Sequence, residues 1–459
     1  MSRSIGCTLF DEHASVLTHW FASGVRDRTL ICFDAHLDLQ RISCSRLERL
    51  KACGHSGELA QWMKPHHWYP DRNAVSNSVY SFSIEDFLYA AKQLGIINRL
   101  VWVAPPHIPI FDPVGAIEQL RQSDGVDLET LSSLQLVSDP ANSAYWIEGV
   151  LYDLPMVICR EECLVSLDLP VNAIVDFDID YFVELPSERI GRLPQETVRR
   201  VLELDLDFDE ITISRSVLSG YTPAGFAWIG ESIAEAFAQG SSTEQVRDAT
   251  RHDFPLSVPE NVNEFLRRLS RYGARGIRPT RDEFELLSLW SEAYANVPEC
   301  EQAGLVAAGL GLVHLFIGDS VGAKEYYRKA AVVFGEHPEL ALEIAKDALG
   351  KGDLVEADAY FTKATLDDKS RASAQHHLGV IGILQFQESR NASSLQDAIR
   401  HLDLARGSAP AWSENLSLLS QACALAGDES ASGTFREEFL EINQVCQHFI
   451  QQFEHVKDE

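Results

Sequence analysis

The chain has 459 residues, 45% of them hydrophobic, and a formal net charge of −29. A chain of this length exceeds what one hydrophobic core can organise, so two or three domains are expected. The negative charge argues against nucleic acid or an anionic membrane as the main partner and suits a cationic partner, although solubility alone also explains such a charge.

The nine cysteines are scattered and form no Cys-x-x-Cys pair. This usage predicts free thiols in a reducing compartment. The amino terminus lacks the apolar core of a signal peptide. The most apolar stretch, 304–318, is short, rich in glycine and carries His314, so it is not a membrane span. We therefore predict a cytoplasmic protein that does not bind membranes.

Apolar runs alternate with amphipathic segments from Ser4 to about Ala236. The runs predict strands at 5–10, 30–33, 100–104, 134–137, 155–158, 173–175 and 210–214. The amphipathic segments predict helices at 14–23 and 83–94. Ser83 is the expected N-cap of the second helix, with Glu85 and Asp86 in its first turn. This alternation is typical of an α/β domain with a mainly parallel sheet, predicted at 1–238.

The segment 239–298 is polar and then helical without strand patterning, which indicates a connector. An internal repeat follows in the region 299–459. One copy reads Gly318-Asp319, Ala323, Tyr327 and Ala330, and the next follows after 34 residues with Gly352-Asp353, Ala357, Phe361 and Ala364. A third copy is displaced by 41 residues, after a polar insertion near 388–394, with Ala398, Leu402 and Ala405. A fourth, degenerate copy begins at Gly427-Asp428.

A 34-residue helix-turn-helix period with small residues at the helix contacts resembles tetratricopeptide repeats. Leu378-Gly379 falls where that family often has Leu-Gly. A generic helical bundle is the alternative. The resemblance predicts an all-α tetratricopeptide-like domain whose concave surface binds peptides or other proteins.

Two acidic motifs stand at the ends of predicted strands. The first is Asp34-Ala35-His36-Leu37-Asp38, and the second is Asp176-Phe177-Asp178-Ile179-Asp180. Side chains two apart on a strand point to the same side. Open α/β sheets bind ligands beyond the carboxyl ends of their strands. The gathered carboxylates and imidazole therefore predict a site for two divalent cations.

A lone Asp-x-Asp more often caps a helix or faces solvent than binds a metal ion. An Asp-x-His-x-Asp after a buried strand is much rarer. Burying four carboxylates side by side without cations would be costly through desolvation and mutual repulsion. The two motifs together therefore favour a metal site.

These motifs resemble the signatures of the arginase and deacetylase (ureohydrolase) superfamily. The closer similarity is to a divergent arginase-like family, some of whose bacterial members are peptide arginases acting on ribosomally made precursor peptides. Further similar segments are Asp11-Glu12-His13, Ser83-Ile84-Glu85, Val101-Trp102-Val103, Tyr181-Phe182, Thr212-Ile213-Ser214-Arg215-Ser216 and Gly220-Tyr221-Thr222-Pro223. The resemblance covers about residues 4–236. It implies a three-layer αβα arginase-like parallel sheet, here followed by the repeat domain.

The resemblance also implies a two-metal centre. Its ligands would be His13, Asp34, His36, Asp38, Asp178 and Asp180. Asp34 and Asp178 would bridge the cations. His36 and Asp180 would complete one shell, and Asp38 with an upstream histidine the other.

The upstream histidine has to be chosen without the usual motif, because this chain lacks the Gly-Gly-Asp-His-Ser of most arginases. His13 is the best candidate, since it comes just after the first predicted strand, and His19 is the alternative. The oxygen and nitrogen ligand set favours Mn²⁺, while zinc, iron and cobalt stay open.

In such a centre the metals generate hydroxide from water near neutral pH. Hydroxide would attack the guanidinium carbon, and the products would be urea and an amine. A histidine would protonate the leaving amine. His55 and His107 are the candidates, although each has an ordinary loop role as its alternative.

A guanidinium substrate needs a carboxylate partner. Glu85, Asp86 and Glu184 are the candidates, with helix capping as the alternative for the first two. Arg215 and Ser216 end a predicted strand and are candidates for lining the site. A structural salt bridge is the alternative for Arg215.

The chain departs from the usual arginase pattern after Asp180, where Tyr181-Phe182-Val183-Glu184 replaces Gly-Leu-Asp-Pro. This departure predicts a substrate other than free arginine. The expected activity is conversion of peptide arginine to ornithine with release of urea, on a peptide held by the repeats. The alternatives are deacetylase-like amide hydrolysis and a degenerate hydrolase that acts as a repeat-based scaffold.

Overall fold

A computed structural model describes most of the chain. The described residues are 6–63, 80–108, 113–184, 189–204, 206–207, 210–217, 221–240, 246–248, 307, 310–311, 314, 319–334 and 338–457. The connector predicted at 239–298 lies almost entirely outside them, as do Gly220 and Gly318.

Nine strands in the described part of the chain form one sheet, and a short hairpin stands apart. The strands are β1 Gly6–Phe10, β2 Arg28–Phe33, β3 Ile97–Val103, β4 Gln135–Asp139, β5 Ala144–Leu151, β6 Leu154–Cys159, β7 Ile174–Asp178, β8 Val183–Glu184, β9 Arg189–Ile190, β10 Glu210–Ser214 and β11 Val246–Asp248. The sheet order is β11-β1-β10-β7-β2-β3-β6-β5-β4, and β8 pairs with β9. Pairing is parallel from β11 to β6 and antiparallel on both sides of β5. The predicted α/β class with a mainly parallel sheet is confirmed.

Helices cover both faces of this sheet. They are α1 Ser15–Ala22, α2 Cys44–Ala52, α3 Ser56–Gln61, α4 Phe87–Gln93, α5 Pro113–Arg121, α6 Leu128–Ser133, α7 Pro194–Glu203 and α8 Trp228–Gly240. Along β2, Leu30 and Cys32 belong to one apolar cluster, whereas Ile31 and Phe33 belong to the other. A strand buried on both faces reads as a continuous apolar run, which is why β2 was recognisable.

Two local predictions differ from the structure. The helix predicted at 83–94 begins only at Phe87, because Ser83 donates its amide to Asp86 Oδ1 at 2.6 Å and residues 83–86 form a turn. Ser83 is therefore not an N-cap. Strand β5 was not predicted, since it contains Glu148 and Gly149, residue types that are depleted in strands.

The carboxyl-terminal region is helical, as predicted. Its helices are α9 Ser320–Phe334, α10 Pro338–Gly350, α11 Leu354–Ala364, α12 Asp368–Ser389, α13 Ala392–Ser408, α14 Ser413–Leu425 and α15 Glu429–Lys457. All nine residues that mark the three repeat copies between Ala323 and Ala405, eight of them alanine or aromatic and the ninth Leu402, are buried. The insertion near 388–394 lengthens α12 and forms a tight turn, in which Arg390 is left-handed. Among the described residues, none of the helices has the length and apolar character needed to cross a membrane.

The last two helices, α14 and α15, share a core with the α/β region. Ile442, Phe449 and Phe453 of α15 belong to the apolar cluster that also contains Trp20 and Leu131. Polar contacts reinforce the junction: Arg121 Nη1 to Asn443 Oδ1 at 2.8 Å, Leu136 N to Gln452 Oε1 at 2.8 Å, and Gly125 N to Ser408 O at 2.6 Å. The last two helices therefore pack on the α/β region, while α10 to α14 also form apolar clusters of their own.

Candidate metal centre

Both acidic motifs lie at the carboxyl edge of the sheet. Strands β2 and β7 are parallel neighbours with Phe33 opposite Phe177. Asp34 and Asp178 directly follow these two residues, so the register brings them side by side. His13 reaches the same edge from the turn between β1 and α1. Parallel pairing is what collects residues from distant parts of the chain here.

Backbone amides fix one oxygen of three carboxylates. His36 N donates to Asp34 Oδ1 at 2.7 Å, Asp180 N donates to Asp178 Oδ1 at 3.2 Å, and Ala35 N donates to Asp180 Oδ1 at 3.1 Å. The other oxygen of each carboxylate lies near a histidine nitrogen. The motifs thus orient their own carboxylates.

The first group of possible ligands surrounds His13 Nδ1. This nitrogen lies 3.3 Å from Asp34 Oδ2, 3.2 Å from Asp38 Oδ2 and 3.2 Å from Asp178 Oδ2. His13 and Asp34 are fully buried, yet His13 Nδ1 and Asp34 Oδ2 have no hydrogen-bond partner in the described structure. A buried polar atom without a partner costs about 1–3 kcal/mol. A cation bound between these atoms would remove that cost.

The orientation of His13 is set by Asp176. His13 Nε2 lies 2.6 Å from Asp176 Oδ2, and Thr212 donates its hydroxyl to Asp176 Oδ1. The carboxylate favours the proton on Nε2 and leaves Nδ1 as a lone-pair donor toward the first group. Phe87 packs against the imidazole ring at 4.6 Å between centroids.

Asp176 was not among the predicted site residues. The signal for it was present, because Asp176, Asp178 and Asp180 alternate along one strand end. Only the tertiary contact with His13 shows what Asp176 does.

The second group contains His36, Asp34 and Asp180. His36 Nδ1 lies 2.8 Å from Asp180 Oδ2 and 3.7 Å from Asp34 Oδ1. Tyr221 packs edge-on against the His36 ring at 4.6 Å. Trp102 donates its indole N–H to the carbonyl of Asp34 at 2.9 Å. Asp34 thus takes part in both groups through different oxygens.

The net effect of burial and neighbouring charges is to raise the pKa values of three groups in the cluster. Burial, followed by the charge of Asp34, raises the pKa of Asp38 to about 8, and burial with the charge of Asp180 raises the pKa of Asp178 to about 7. Burial opposes protonation of His36, but the Asp180 carboxylate outweighs it and raises the pKa of His36 to about 10. The cluster thus holds protons when no cation neutralises it, and cations would displace them.

The donor set fits divalent cations that prefer oxygen and nitrogen. Three overlapping groups have ligand atoms within 4.8 Å of one another: His13 with Asp34 and Asp178, Asp34 with His36 and Asp180, and His13 with Cys32 and Asp176. The third group is a weak candidate, because burial raises the pKa of Cys32 well above its usual value and the thiolate is the ligand form. The first two groups contain five of the six ligands predicted from sequence; Asp178 belongs to only one of them, and Asp38 joins through its 3.2 Å contact with His13 Nδ1.

Asp86 does not have the predicted role in substrate binding. Its side chain is fully buried, and its Oδ2 accepts from Arg46 Nη2 at 2.7 Å. Arg46 is itself buried, with its guanidinium 4.5 Å from the centroid of the Tyr80 ring. Asp86 therefore already binds a guanidinium, one that belongs to the protein. The prediction was right about the chemistry of the residue and wrong about its ligand.

Arg215 and Ser216 are also structural rather than substrate-lining. Arg215 forms ion pairs with Asp11 at 3.2 Å and with Glu231 at 2.6 Å, so the salt-bridge alternative is correct. Asp11 precedes His13 by two residues, and the Arg215 pair therefore ties the His13 turn to β10. Ser216 is fully buried and cannot contact a substrate; its hydroxyl donates to Asp178 Oδ2 at 2.5 Å.

The two remaining candidates for the guanidinium-binding carboxylate are Glu85 and Glu184. They differ in whether a backbone hydrogen bond links them to the loop after Asp38. Glu85 is half-buried, and its carbonyl accepts from the amide of Gln40, two residues after Asp38. Glu184 lies in the β8–β9 hairpin, half-buried against Gly191. Glu85 is thus the candidate directly attached to the metal-binding loop.

The two histidines proposed as proton donors lie in different environments. His55 is exposed and caps α3, where its Nδ1 accepts from Glu58 N at 3.3 Å. His107 is half-buried in the turn after β3. Arg160 holds that turn by donating to the carbonyls of Ala104, Pro105 and Ile108. His55 therefore has the loop role named as its alternative, and His107 is the stronger candidate.

Comparison with known proteins adds no identification. No protein-family model matches this chain, and no curated protein matches it at a significant level.

Proposed function

We propose that this protein is a metal-dependent hydrolase that converts arginine side chains of a peptide to ornithine with release of urea. The observation that carries the proposal is the pair of ligand groups joined by Asp34. The fully buried atoms His13 Nδ1 and Asp34 Oδ2, which make no hydrogen bond in the described structure, support it. Two divalent cations, Mn²⁺ by ligand preference, are the proposed cofactors.

Bound cations would supply hydroxide from water at neutral pH and would stabilise the negative charge that develops in the reaction. In the proposed reaction, one water adds across the bond between the guanidinium carbon and the Nε of the substrate arginine. The carbon keeps the oxygen and leaves as urea. The substrate nitrogen takes a proton and becomes the ornithine amine. His107 is proposed to deliver that proton.

The carboxylate for the guanidinium is proposed to be Glu85. Its half-buried side chain belongs to the turn that is hydrogen-bonded to the loop after Asp38. A carboxylate binds a guanidinium through parallel hydrogen bonds, which orient the carbon for attack. Asp86, its neighbour, keeps the turn in place through Arg46 and Ser83.

A peptide rather than free arginine is proposed as the substrate because of the helical region. Its last helix shares a core with the α/β region, which attaches the helical region to the domain that carries the candidate centre. Repeat arrays of this type bind extended peptides. A fixed array would present a peptide to the site in a constant register. The acidic balance of the chain suits such a cationic substrate.

Deacetylase-like hydrolysis is the second candidate, and one observation favours it. Tyr221 packs against His36, and a tyrosine next to the ligands is what amide hydrolysis uses to orient the scissile carbonyl. A repeat-based scaffold with a degenerate hydrolase domain is the third. The convergence of all six predicted ligands supports an active centre over that scaffold.

Mass spectrometry of an arginine-containing peptide incubated with protein and Mn²⁺ tests the proposal. Conversion should lower the peptide mass by about 42 Da per arginine, the difference between a guanidinium and an amine. A His36→Ala variant should lose this activity. Faster turnover of free arginine would reject the peptide part only. Reaction of an acylated amine, with no guanidinium substrate reacting, would establish the second candidate.

A further inference from the structure

Strand β10 and its extension carry hydroxyl side chains at alternate positions: Thr212, Ser214 and Ser216. The adjacent parallel strand β7 also carries carboxylates at alternate positions, Asp176 and Asp178. Thr212 stands opposite Asp176, and Ser214 stands opposite Asp178. Because side chains alternate with period two, hydroxyls and carboxylates share one face of the sheet.

The three hydroxyls are not used in the same way. Thr212 donates to Asp176, which orients His13. Ser216 donates to Asp178 Oδ2 at 2.5 Å. Ser214 Oγ is buried without a hydrogen-bond partner in the described structure. Ser216 thus donates a hydrogen bond to a predicted ligand, whereas the Ser214 hydroxyl makes no hydrogen bond in the described structure.

Ser216 reaches Asp178 from an unfavourable backbone conformation. Its φ is +47°, in the left-handed region that non-glycine residues rarely occupy. The Thr222 amide donates to the Ser216 carbonyl at 2.9 Å. Such a conformation is unfavourable and is kept where the surrounding structure requires it.

We propose that Ser216 is a positioning residue for the first ligand group, acting through Asp178. Asp180 N holds one oxygen of the Asp178 carboxylate and the Ser216 hydroxyl holds the other, so the carboxylate cannot rotate. The ligand is therefore oriented before a cation arrives. Donors that orient ligands in this way typically contribute about 10- to 100-fold to metal affinity. This inference rests on the proposed metal centre but not on the reaction.

Mn²⁺ binding to the full-length, metal-free protein tests this role by calorimetric titration. Ser216→Ala should weaken Mn²⁺ binding by about 10-fold. Ser214→Ala is the matched control, since it makes the same chemical change on the same strand without removing a hydrogen bond. Its affinity should stay within about twofold of wild type, because only an unpartnered hydroxyl is lost.

Ser216→Gly separates the hydrogen bond from the backbone strain. Glycine accepts φ of +47° without steric cost. The unfolding temperature of metal-free Ser216→Gly should therefore be no lower than that of metal-free Ser216→Ala. Its Mn²⁺ affinity should fall by a factor similar to that in Ser216→Ala. Ser216→Cys, a weak donor of similar shape, should lie between serine and alanine.

Several results would overturn the inference. Wild-type affinity in Ser216→Ala would show that the hydroxyl orients nothing. Equal losses in Ser216→Ala and Ser214→Ala would assign the effect to the strand as a whole. Absence of Mn²⁺ binding by the wild-type protein would reject the metal centre together with this role. Binding that behaves as expected without any guanidinium turnover would leave Ser216 assigned and reject only the proposed reaction.

Discussion

The carboxyl edge of the sheet and the helical region after residue 319 are both well buried, but different forces hold them. At the sheet edge, Asp34, Asp178 and Asp180 are at most 2% exposed and are oriented by specific hydrogen bonds. In the helices, contacts are made by small apolar residues such as Ala357 and Ala364. The first arrangement needs particular partners, whereas the second needs only matching volume.

This difference separates a site from a scaffold. Buried carboxylates side by side repel one another and lose hydration, so their arrangement persists only where donors or cations compensate. Apolar helix contacts have no such requirement and tolerate volume-conserving exchange. One polar contact in the helices is an exception: His376 lies 3.0 Å from Asn415, which donates to the Leu402 carbonyl.

The largest effect is expected from Asp34→Ala. Asp34 belongs to both ligand groups, so the variant should lose both cations. Elemental analysis of metal-replete wild type should find about two cations per chain. Asp38→Ala, whose oxygen lies only in the first group, is the control and should lose one. Asp178 was predicted to bridge as well, and loss of both cations in Asp178→Ala would establish this. Retention of both cations in Asp34→Ala would reject the assignment.

The core that α15 shares with the α/β region predicts that a substitution in this helix has a large effect on the free energy of unfolding. Phe449→Ala removes a buried ring from α15 and should lower the free energy of unfolding by about 3–5 kcal/mol. Leu440→Ala on the same helix is the control, because Leu440 is 55% exposed, and it should be nearly neutral. Urea unfolding followed by tryptophan fluorescence and by circular dichroism measures both. Separate transitions for the two regions would show that the core is not shared.

A pH effect is expected from His376 in the helices. Burial lowers the pKa of His376 to about 4. In the unfolded chain, with a histidine pKa near 6.5, the group binds protons that the folded form excludes. The contribution of His376 to the free energy of unfolding is therefore complete above pH of about 6.5. As the pH falls toward about 4, the free energy of unfolding decreases by up to about 3 kcal/mol. His376→Phe should flatten this dependence in urea titrations between those values. An unchanged pH profile would contradict the prediction.

The smallest effect is expected from Asp176, whose carboxylate contacts His13 Nε2. Asp176→Asn should disturb the tautomer of His13 and weaken Mn²⁺ binding by about 10-fold, or about 1.4 kcal/mol. Cys32→Ala is the control, because its thiol makes only a long contact of 3.8 Å with the same carboxylate. Calorimetric titration should separate the two variants. Equal affinities for Asp176→Asn and wild type would show that Asp176 does not orient His13.

The sequence alone led to most of the ligand set. Asp34, His36, Asp178 and Asp180 were recognisable because each motif ends an apolar run, and a run buried on both faces is a strong strand signal. His13 came from the resemblance and from its place after the first strand. The helical region was recognisable because small residues return at a fixed period.

Several roles were beyond sequence reasoning because they depend on contacts between distant segments. Asp86 looked available for a substrate until the structure placed Arg46 against it. Ser216 was a candidate for lining the site at the end of a strand until its hydroxyl was found on Asp178. The carboxylates and hydroxyls in question have the same local patterns whether they face solvent or a buried partner.

The sequence by itself thus determined the α/β class, the helical carboxyl-terminal region and the chemical type of the candidate site. These depend on local periodicity and on strand ends, which neighbouring residues encode. Only the tertiary structure decided which oxygens meet which histidine, which hydroxyls orient them, and that α15 completes the core of the α/β region. These depend on strand register and on packing between segments up to hundreds of residues apart, where the free energy belongs to the pair of residues and neither one alone reveals it.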